Sequence, residues 1–334
     1  MKRSKAREDI GGSPREALIV AGPTASGKSS LAATLAERLH GTIINADAMQ
    51  LYRELRILTA RPTEEEEARL PHRLYGVRPA VEPASAAWWR EAALAAMAGA
   101  GDAGRLPILC GGSGLYLAAL IDGLSAMPAI APAARAEARA LLTALGPASL
   151  HGRLAEVDPV TAARLRPTDS QRLARAYEVW LSTGRGLASW QAAWQADGQD
   201  AAHPWYFTAI LLDPPRAALR EAIARRFAGM LAAGALEEVR ALLALGLDPS
   251  LPVLRAHGVP ELSAYLAGTL DLSEAASRAV LVTGQYAKRQ STWFRHHALA
   301  GPARTHMIHA RIASEAQFSQ KELSELITFI QNPG

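Results

Sequence analysis

Residues Gly22-Pro23-Thr24-Ala25-Ser26-Gly27-Lys28-Ser29 have the types and spacing that hold a di- or triphosphate. In such a loop successive backbone N–H groups converge on phosphate oxygens, and glycine lets the main chain approach the anion closely. The Lys28 ammonium reaches the terminal phosphates, and the Ser29 hydroxyl is suited to ligate Mg²⁺. An apolar β-branched run, Ala17 to Ala21, precedes the motif, and Leu31, Leu35 and Leu39 recur behind it at helical spacing. Strand, loop and helix therefore set the positive end of a helix dipole against the anion. Only five of the 36 basic residues are lysine, three of them near the termini, so an interior Lys28 points to a need for a compact ammonium.

The motif leaves open what the phosphate belongs to. Thr42 to Ala46 reads as a second strand ending at Asp47, which is either a carboxylate for an Mg²⁺ site or a turn residue and helix N-cap. Pro107 to Cys110 reads as a third strand running into GGSGLY, where Ser113 either touches a ligand or shapes a turn. Farther on, Thr168 with Gln171 forms a capping box and Thr183-Gly184 ends the helix, leaving Gln171, Arg172 and Arg175 on one exposed face suited to sugar and phosphate contacts. YAKRQSTWFR places Tyr286, Arg289 or Gln290, and Trp293 on one face, and Lys288 with Arg295 on another; its aromatics read mainly as core packing. Glu64 to Glu67 read as an acidic helix start, Trp88 and Trp89 as packing, and Cys110 as an inert buried thiol. The nine histidines lack metal-ligand spacing.

Elements to position these groups are plentiful. A chain of 334 residues, 49% hydrophobic and 20% charged, buries enough for about two domains. No run of eighteen uncharged apolar residues and no apolar stretch behind MKRSKAREDI occur, so the expectation is a cytoplasmic protein with no membrane partner. A single cysteine excludes an internal disulfide framework. Strands separated by helices imply right-handed crossovers and a parallel sheet whose loops work at the strand C-termini. The fold class is α/β, a P-loop NTPase-like parallel sheet flanked by helices with an inserted all-helical domain. The expected boundaries are a flexible segment at 1–15, a core at 16–120 and 205–315, a helical insertion at 121–204 and a helical tail at 316–334. Tyr206 to Leu212 returns to the sheet, and a long helix with proline at its start follows. The net charge is only +4, but forty residues between Glu274 and Glu315 hold no acid and include Arg278, Lys288, Arg289, Arg295, Arg304 and Arg311. That local positive field suits an anionic partner such as nucleic acid.

GPTASGKS, DAMQLYREL with TARP, PHRL, GGSGLY, DSQRLARAYEVW with TG, and YAKRQSTWFR, in this order over roughly residues 17–300, resemble the bacterial tRNA dimethylallyltransferases. The resemblance implies a P-loop that holds the pyrophosphate of dimethylallyl diphosphate, with Mg²⁺ on Ser29. It also implies transfer to the exocyclic amine of the adenosine immediately 3′ of the anticodon, with the anticodon stem-loop gripped by the helical insertion. By position, Asp47 matches the aspartate that accepts the amine proton, and Arg226 matches a pyrophosphate-binding arginine. Asp47, Ala48, Met49 and Gln50, Ser113 in place of a usual threonine, Arg135, and Gln171, Arg172, Leu173, Ala174 and Arg175 match tRNA-contacting positions. Departures are DAMQ for DSMQ, PHRLYG for PHHLID, RAHGVPEL with Val259 in place of an aromatic, and Ala222 at a usual arginine site. The chain is expected to act as a monomer. The rival readings are a P-loop small-molecule kinase, an adenylate-directed prenyltransferase and a non-catalytic RNA-binding protein.

Overall fold

The computed structural model describes residues 15–125, 127–196, 204–314 and 317–332. The flexible segment expected at 1–15 lies, apart from Arg15, outside the described residues. In chain order β1 (Arg15–Ala21), α1 (Lys28–Arg38), β2 (Gly41–Asn45), α2 (Glu64–Arg69), β3 (His72–Arg73), α3 (Ala86–Asp102), β4 (Leu106–Gly111) and α4 (Gly114–Asp122) come first. A wholly helical stretch follows, with α5 (Pro132–Val157), α6 (Pro159–Ala162), α7 (Ser170–Thr183) and α8 (Leu187–Ala196). The chain then returns through β5 (Trp205–Leu212), α9 (Arg216–Ala232), α10 (Ala235–Ala244), α11 (Val259–Leu266), α12 (Leu272–His296), β6 (Thr305–Ile308) and α13 (Gln320–Gln331).

The strands form one six-stranded sheet in the order β3-β2-β4-β1-β5-β6, every pair parallel. The strands read from the sequence are all present. The short edge strands β3 and β6 escaped that reading because two and four half-exposed residues carry no periodic signal. β1 lies between β4 and β5 and is apolar on both faces, as a central parallel strand must be. Ala17, Ile19 and Ala21 pack with Trp89, Met97, Tyr116 and Phe294, whereas Leu18 and Val20 pack with Leu31, Leu35, Leu323 and Leu326. Helix α13 therefore contributes to the same core as the glycine loop's own helix. The loop after β1 leaves the sheet between these two layers.

The described chain forms two compact units, with boundaries at 121/122 and 202/203. The smaller is built on Ala138, Leu150, Leu154, Leu173 and Tyr177. Its helix α5 breaks at Gly146, φ 75°, followed by Pro147. The N-cap of α7 is Asp169, whose carboxylate accepts from Arg172 N at 3.3 Å, so the expected Thr168–Gln171 capping box does not form. Two adjacent residues were competent to cap, and the carboxylate also complements the helix dipole. Gly184, φ 64°, ends the helix as expected. Among the described residues no helix is long and apolar enough to cross a membrane.

Trp88 and Trp89 both pack on the same core, Trp88 partly buried at its margin. Trp89 is fully buried, stacks on Tyr116 at 4.6 Å and donates from Nε1 to Asn45 O at 2.8 Å. Trp88 instead lies 4.5 Å under the Arg78 guanidinium. Trp89→Ala is expected to lower unfolding free energy by roughly 3–5 kcal/mol, the cost of a large core cavity, measured by urea denaturation. A loss below about 1 kcal/mol would contradict that role.

Candidate active site

Glycine at position 27, φ 94°, lets the loop turn into α1 so that Lys28 and Ser29 occupy its first turn. These side chains line a cavity of about 550 Å³ together with Cys110, Arg226 and Arg311. Burial pushes the Lys28 ammonium below its ordinary pKa; Asp47 and Cys110 oppose the shift and Arg226 adds to it. Arg226, delivered by α9, is likewise lowered chiefly by burial, again with Asp47 opposing. Its guanidinium donates to Thr24 Oγ1 at 2.6 Å and so braces the loop. Two desolvated cations with little protein counter-charge make the cavity a receptor for an anion.

Asp47 follows β2 in a tight turn. Asn45 Oδ1 accepts from Asp47 N at 2.7 Å, and Asn45 Nδ2 donates to Asp47 O at 3.0 Å. Asp47 Oδ1 accepts from Met49 N at 3.1 Å, which fits the turn-residue alternative rather than the N-cap, since the following 3₁₀ turn is capped by Ala48; among the described residues Oδ2 has no protein partner. One carboxylate thus shapes a turn and still presents a free oxygen. Its charge acts on Lys28, Arg226, Tyr286 and His257. Burial, with Arg289 second, lowers the His257 pKa, and its ring lies 4.7 Å from that of Tyr286. Ser113 Oγ accepts from Ala48 N at 2.9 Å and so shapes the turn carrying Asp47.

Gln290 is the functional residue that the sequence reading did not separate from its neighbours. Only 5% exposed, it accepts from Thr24 N through Oε1 and donates through Nε2 to Gly112 O, both at 2.8 Å. One amide from α12 therefore ties the phosphate loop to the end of β4. The glycines of GGSG serve this packing: a Cβ at Gly112 would collide with Gln290, and one at Gly114 with the Trp293 ring. The only hint was the helical face shared by Tyr286, Gln290 and Trp293.

Other sequence-derived positions are dispersed. Met49 packs partly buried against the cluster of Tyr52 and Leu55, and Gln50 Nε2 donates to Thr59 O and Ala60 O at 2.8 and 3.0 Å. In the helical unit Gln171 and Arg172 are exposed, Ala174 is half-buried, and Arg175 donates to Glu178 at 2.6 Å, with Arg135 3.8 Å from the same carboxylate. Leu173 departs from the expected RNA-facing set: its side chain is fully buried in the unit's core because it falls on α7's apolar stripe. Ala222 is buried against Ala25, and Val259 is buried beside Leu58 and Phe227. The acid-free basic stretch is also less charged than it reads. Arg278, Arg295 and Arg304 pair with Glu274, Asp213 and Glu16 at 2.6, 3.2 and 2.9 Å.

A phosphate loop at the end of a central parallel strand, a cation-lined cavity and a carboxylate at the end of β2 define a P-loop α/β protein with a group-transfer site for a phosphorylated substrate. The model "IPP transferase" matches residues 50–297, and "Isopentenyl transferase" matches residues 15–83. The chain belongs to the IPP transferase family. It is 57% identical over 317 residues to the tRNA dimethylallyltransferase of Granulibacter bethesdensis, covering 95% of this chain and 98% of that one. The Acidiphilium cryptum protein of that name is 58% identical over 316 residues, covering 95% of each. Among solved structures, the Bacillus halodurans tRNA isopentenylpyrophosphate transferase aligns with TM-score 0.66 and 30% identity over 96% of both chains. A eukaryotic dimethylallyltransferase acting on tRNA shares the fold, with TM-score 0.75 at 22% identity, over 95% of this chain and 79% of its own.

Two outcomes follow from this geometry. Gln290→Leu leaves Thr24 N and Gly112 O without their partner and is expected to weaken pyrophosphate binding roughly tenfold, read by calorimetric titration; unchanged affinity would remove the clamp. Burial raises the Cys110 thiol to about 11. Only the thiolate alkylates, so at pH 8 roughly one thiol in a thousand is reactive. Iodoacetamide should leave the folded protein unlabelled at pH 8, label it faster as pH rises, and label it fully in denaturant. Rapid labelling at pH 7 would contradict the buried thiol.

Proposed function

We propose that this protein transfers the dimethylallyl group of dimethylallyl diphosphate to the exocyclic N6 amine of the adenosine 3′-adjacent to the anticodon of tRNA, releasing pyrophosphate. The observation carrying this reading is the pair of half-buried cations, Lys28 and Arg226, that line one cavity and share the charge of Asp47. The names of the curated relatives support the donor and the class of acceptor.

The adenine amine is a weak nucleophile because its lone pair is delocalised into the ring. The barrier is therefore lowered mainly at the leaving group. As the N6 lone pair forms a bond to C1 of the prenyl group, the C1–O bond breaks and its electrons leave with pyrophosphate. Lys28, Arg226 and the backbone amides of Gly27, Lys28 and Ser29 stabilise that growing charge, an effect of several kcal/mol in comparable sites. The proton displaced from N6 passes to Asp47, whose free Oδ2 is the accepting atom, a contribution of roughly 10²- to 10⁴-fold. Ser29, exposed in the cavity, fits Mg²⁺. The Ser29 hydroxyl would hold such an ion, and among the described residues no cluster of three His, Cys, Asp or Glu offers another site. When bound it supplies further neutralisation of the departing oxygens.

Arg135, Gln171, Arg172, Ala174 and Arg175 of the helical unit, with Ala48, Met49, Gln50 and Ser113 of the core, form the proposed tRNA-contacting set. Lys288 and Arg289 add cations with no acidic partner among the described residues. Contacts of this kind are made to phosphate and sugar and weaken with salt. An unpaired loop adenosine is the cheapest kind to extrude from its stack. A tRNA acceptor assigns the reaction to the cytoplasm.

Purified protein with Mg²⁺, labelled dimethylallyl diphosphate and an anticodon stem-loop is expected to yield prenylated adenosine by nucleoside mass analysis. Labelled ATP is expected to transfer no phosphoryl group. Asp47→Asn should lower turnover by roughly 10²- to 10⁴-fold with stem-loop affinity nearly unchanged. Parental turnover in that variant would remove Asp47 as the base.

A further inference from the structure

After β6 the chain turns back across the phosphate loop. Ile312 N donates to Ser26 O at 2.9 Å, and Arg311 Nε donates to Ala25 O at 3.0 Å. Ile312 is 4% exposed, its side chain held among Leu31, Leu35 and Leu323. Gln317 secures the segment by accepting from Ala313 N and donating to Arg311 O. The contact is so close that a Cβ at Gly27 would collide with the Ile312 carbonyl. Gly27 thus makes room for this strap as well as forming the loop.

Arg311 differs from the other arginines of the basic stretch. Arg278, Arg295 and Arg304 each meet a carboxylate, whereas Arg311 meets none among the described residues. Its Nε is fixed to the loop, and among the described residues its two terminal nitrogens have no protein acceptor. The side chain lines the same cavity as Lys28, Ser29 and Arg226, and its charge depresses the Arg226 pKa. A half-buried guanidinium oriented by one bond and facing two more cations carries an electrostatic cost that an arriving anion reverses. Two free N–H groups in a planar fork match adjacent oxygens of a phosphate.

We propose that Arg311, delivered by the strap that follows β6, is a third cationic ligand of the diphosphate, beside Lys28 and Arg226. The proposal rests on the reading of this cavity as the diphosphate site. It lies outside the 50–297 region matched by the family model. Arg311 would engage the diphosphate before and after the C1–O bond breaks, so its loss should appear in affinity for donor and for free pyrophosphate alike.

The test titrates inorganic pyrophosphate into the full chain and into Arg311→Met and Arg311→Lys at fixed ionic strength, alongside melting temperature and stem-loop affinity. Methionine keeps an unbranched apolar stem, and lysine restores one charge without the fork. The expected result is pyrophosphate affinity roughly ten- to hundredfold weaker for Met, as for one charge-assisted contact, intermediate for Lys, and stem-loop affinity unchanged in both. Pyrophosphate bound by Arg311→Met within about twofold of the parent, whether or not the melting temperature falls, would overturn the proposal and leave the strap structural. Because inorganic pyrophosphate has no prenyl group, this result is independent of whether prenyl transfer occurs. Failure of transfer with the expected loss of affinity would instead count against the reaction and not against Arg311.

Discussion

Holding like charges together away from water is the constraint on which this structure depends. Two unit charges 4 Å apart interact by about 4 kcal/mol at an effective dielectric of 20, so cations gathered in one cavity repel unless something fixes them. Lys28 is fixed by the first turn of α1, and Arg226 by α9 and its bond to Thr24. Asp47 supplies part of the counter-charge, and an anion must supply the rest. The same arrangement that costs stability in the free protein is what lets the site favour a leaving diphosphate.

Distant segments share the work of holding the phosphate loop. Thr24 receives α12 through Gln290 and α9 through Arg226, while Ala25 and Ser26 receive the strap through Arg311 and Ile312. The sheet makes this convergence possible. β1 is central, so the loop at its end is reachable from both layers, and the ends of β2 and β4 bring Asp47 and Gly112 alongside. α12 presents a buried face of Thr283, Ala287, Gln290, Ser291 and Phe294, in which the Gln290 amide is kept because both its ends have partners to meet. Between them, Gln290 and Ser113 translate the position of α12 and β4 into the shape of the two catalytic turns.

Local signals in the sequence carried most of the fold. The Gly22–Ser29 motif between an apolar run and a leucine-spaced helix located the phosphate loop, and the strand ends located Asp47. The long helix after β5 and Gly184 at the end of α7 were readable because each depends on adjacent residues. What was not readable depends on partners far along the chain. Gln290 is a clamp only because β4 and the phosphate loop meet at its amide, and nothing in YAKRQSTWFR says which polar residue is turned inward. Arg295 and Arg304 looked free until the fold brought Asp213 and Glu16 beside them, whereas among the described residues Arg311 meets no such acid. Leu173 was carried along with its polar neighbours although its own spacing marks it as core. The cap of α7 shows a smaller failure: the sequence pointed to Thr168 with Gln171, and the cap is the adjacent Asp169.

The central claim is that this cavity grips a diphosphate attached to a prenyl group and holds it near Asp47. A crystal structure of the protein with an unreactive thiolo analogue of dimethylallyl diphosphate tests it most directly. The account predicts diphosphate oxygens on the Gly27–Ser29 amides, Lys28 and Arg226, with the prenyl C1 directed toward Asp47. An analogue seated with its anionic end away from Lys28, or with C1 turned away from Asp47, would contradict it.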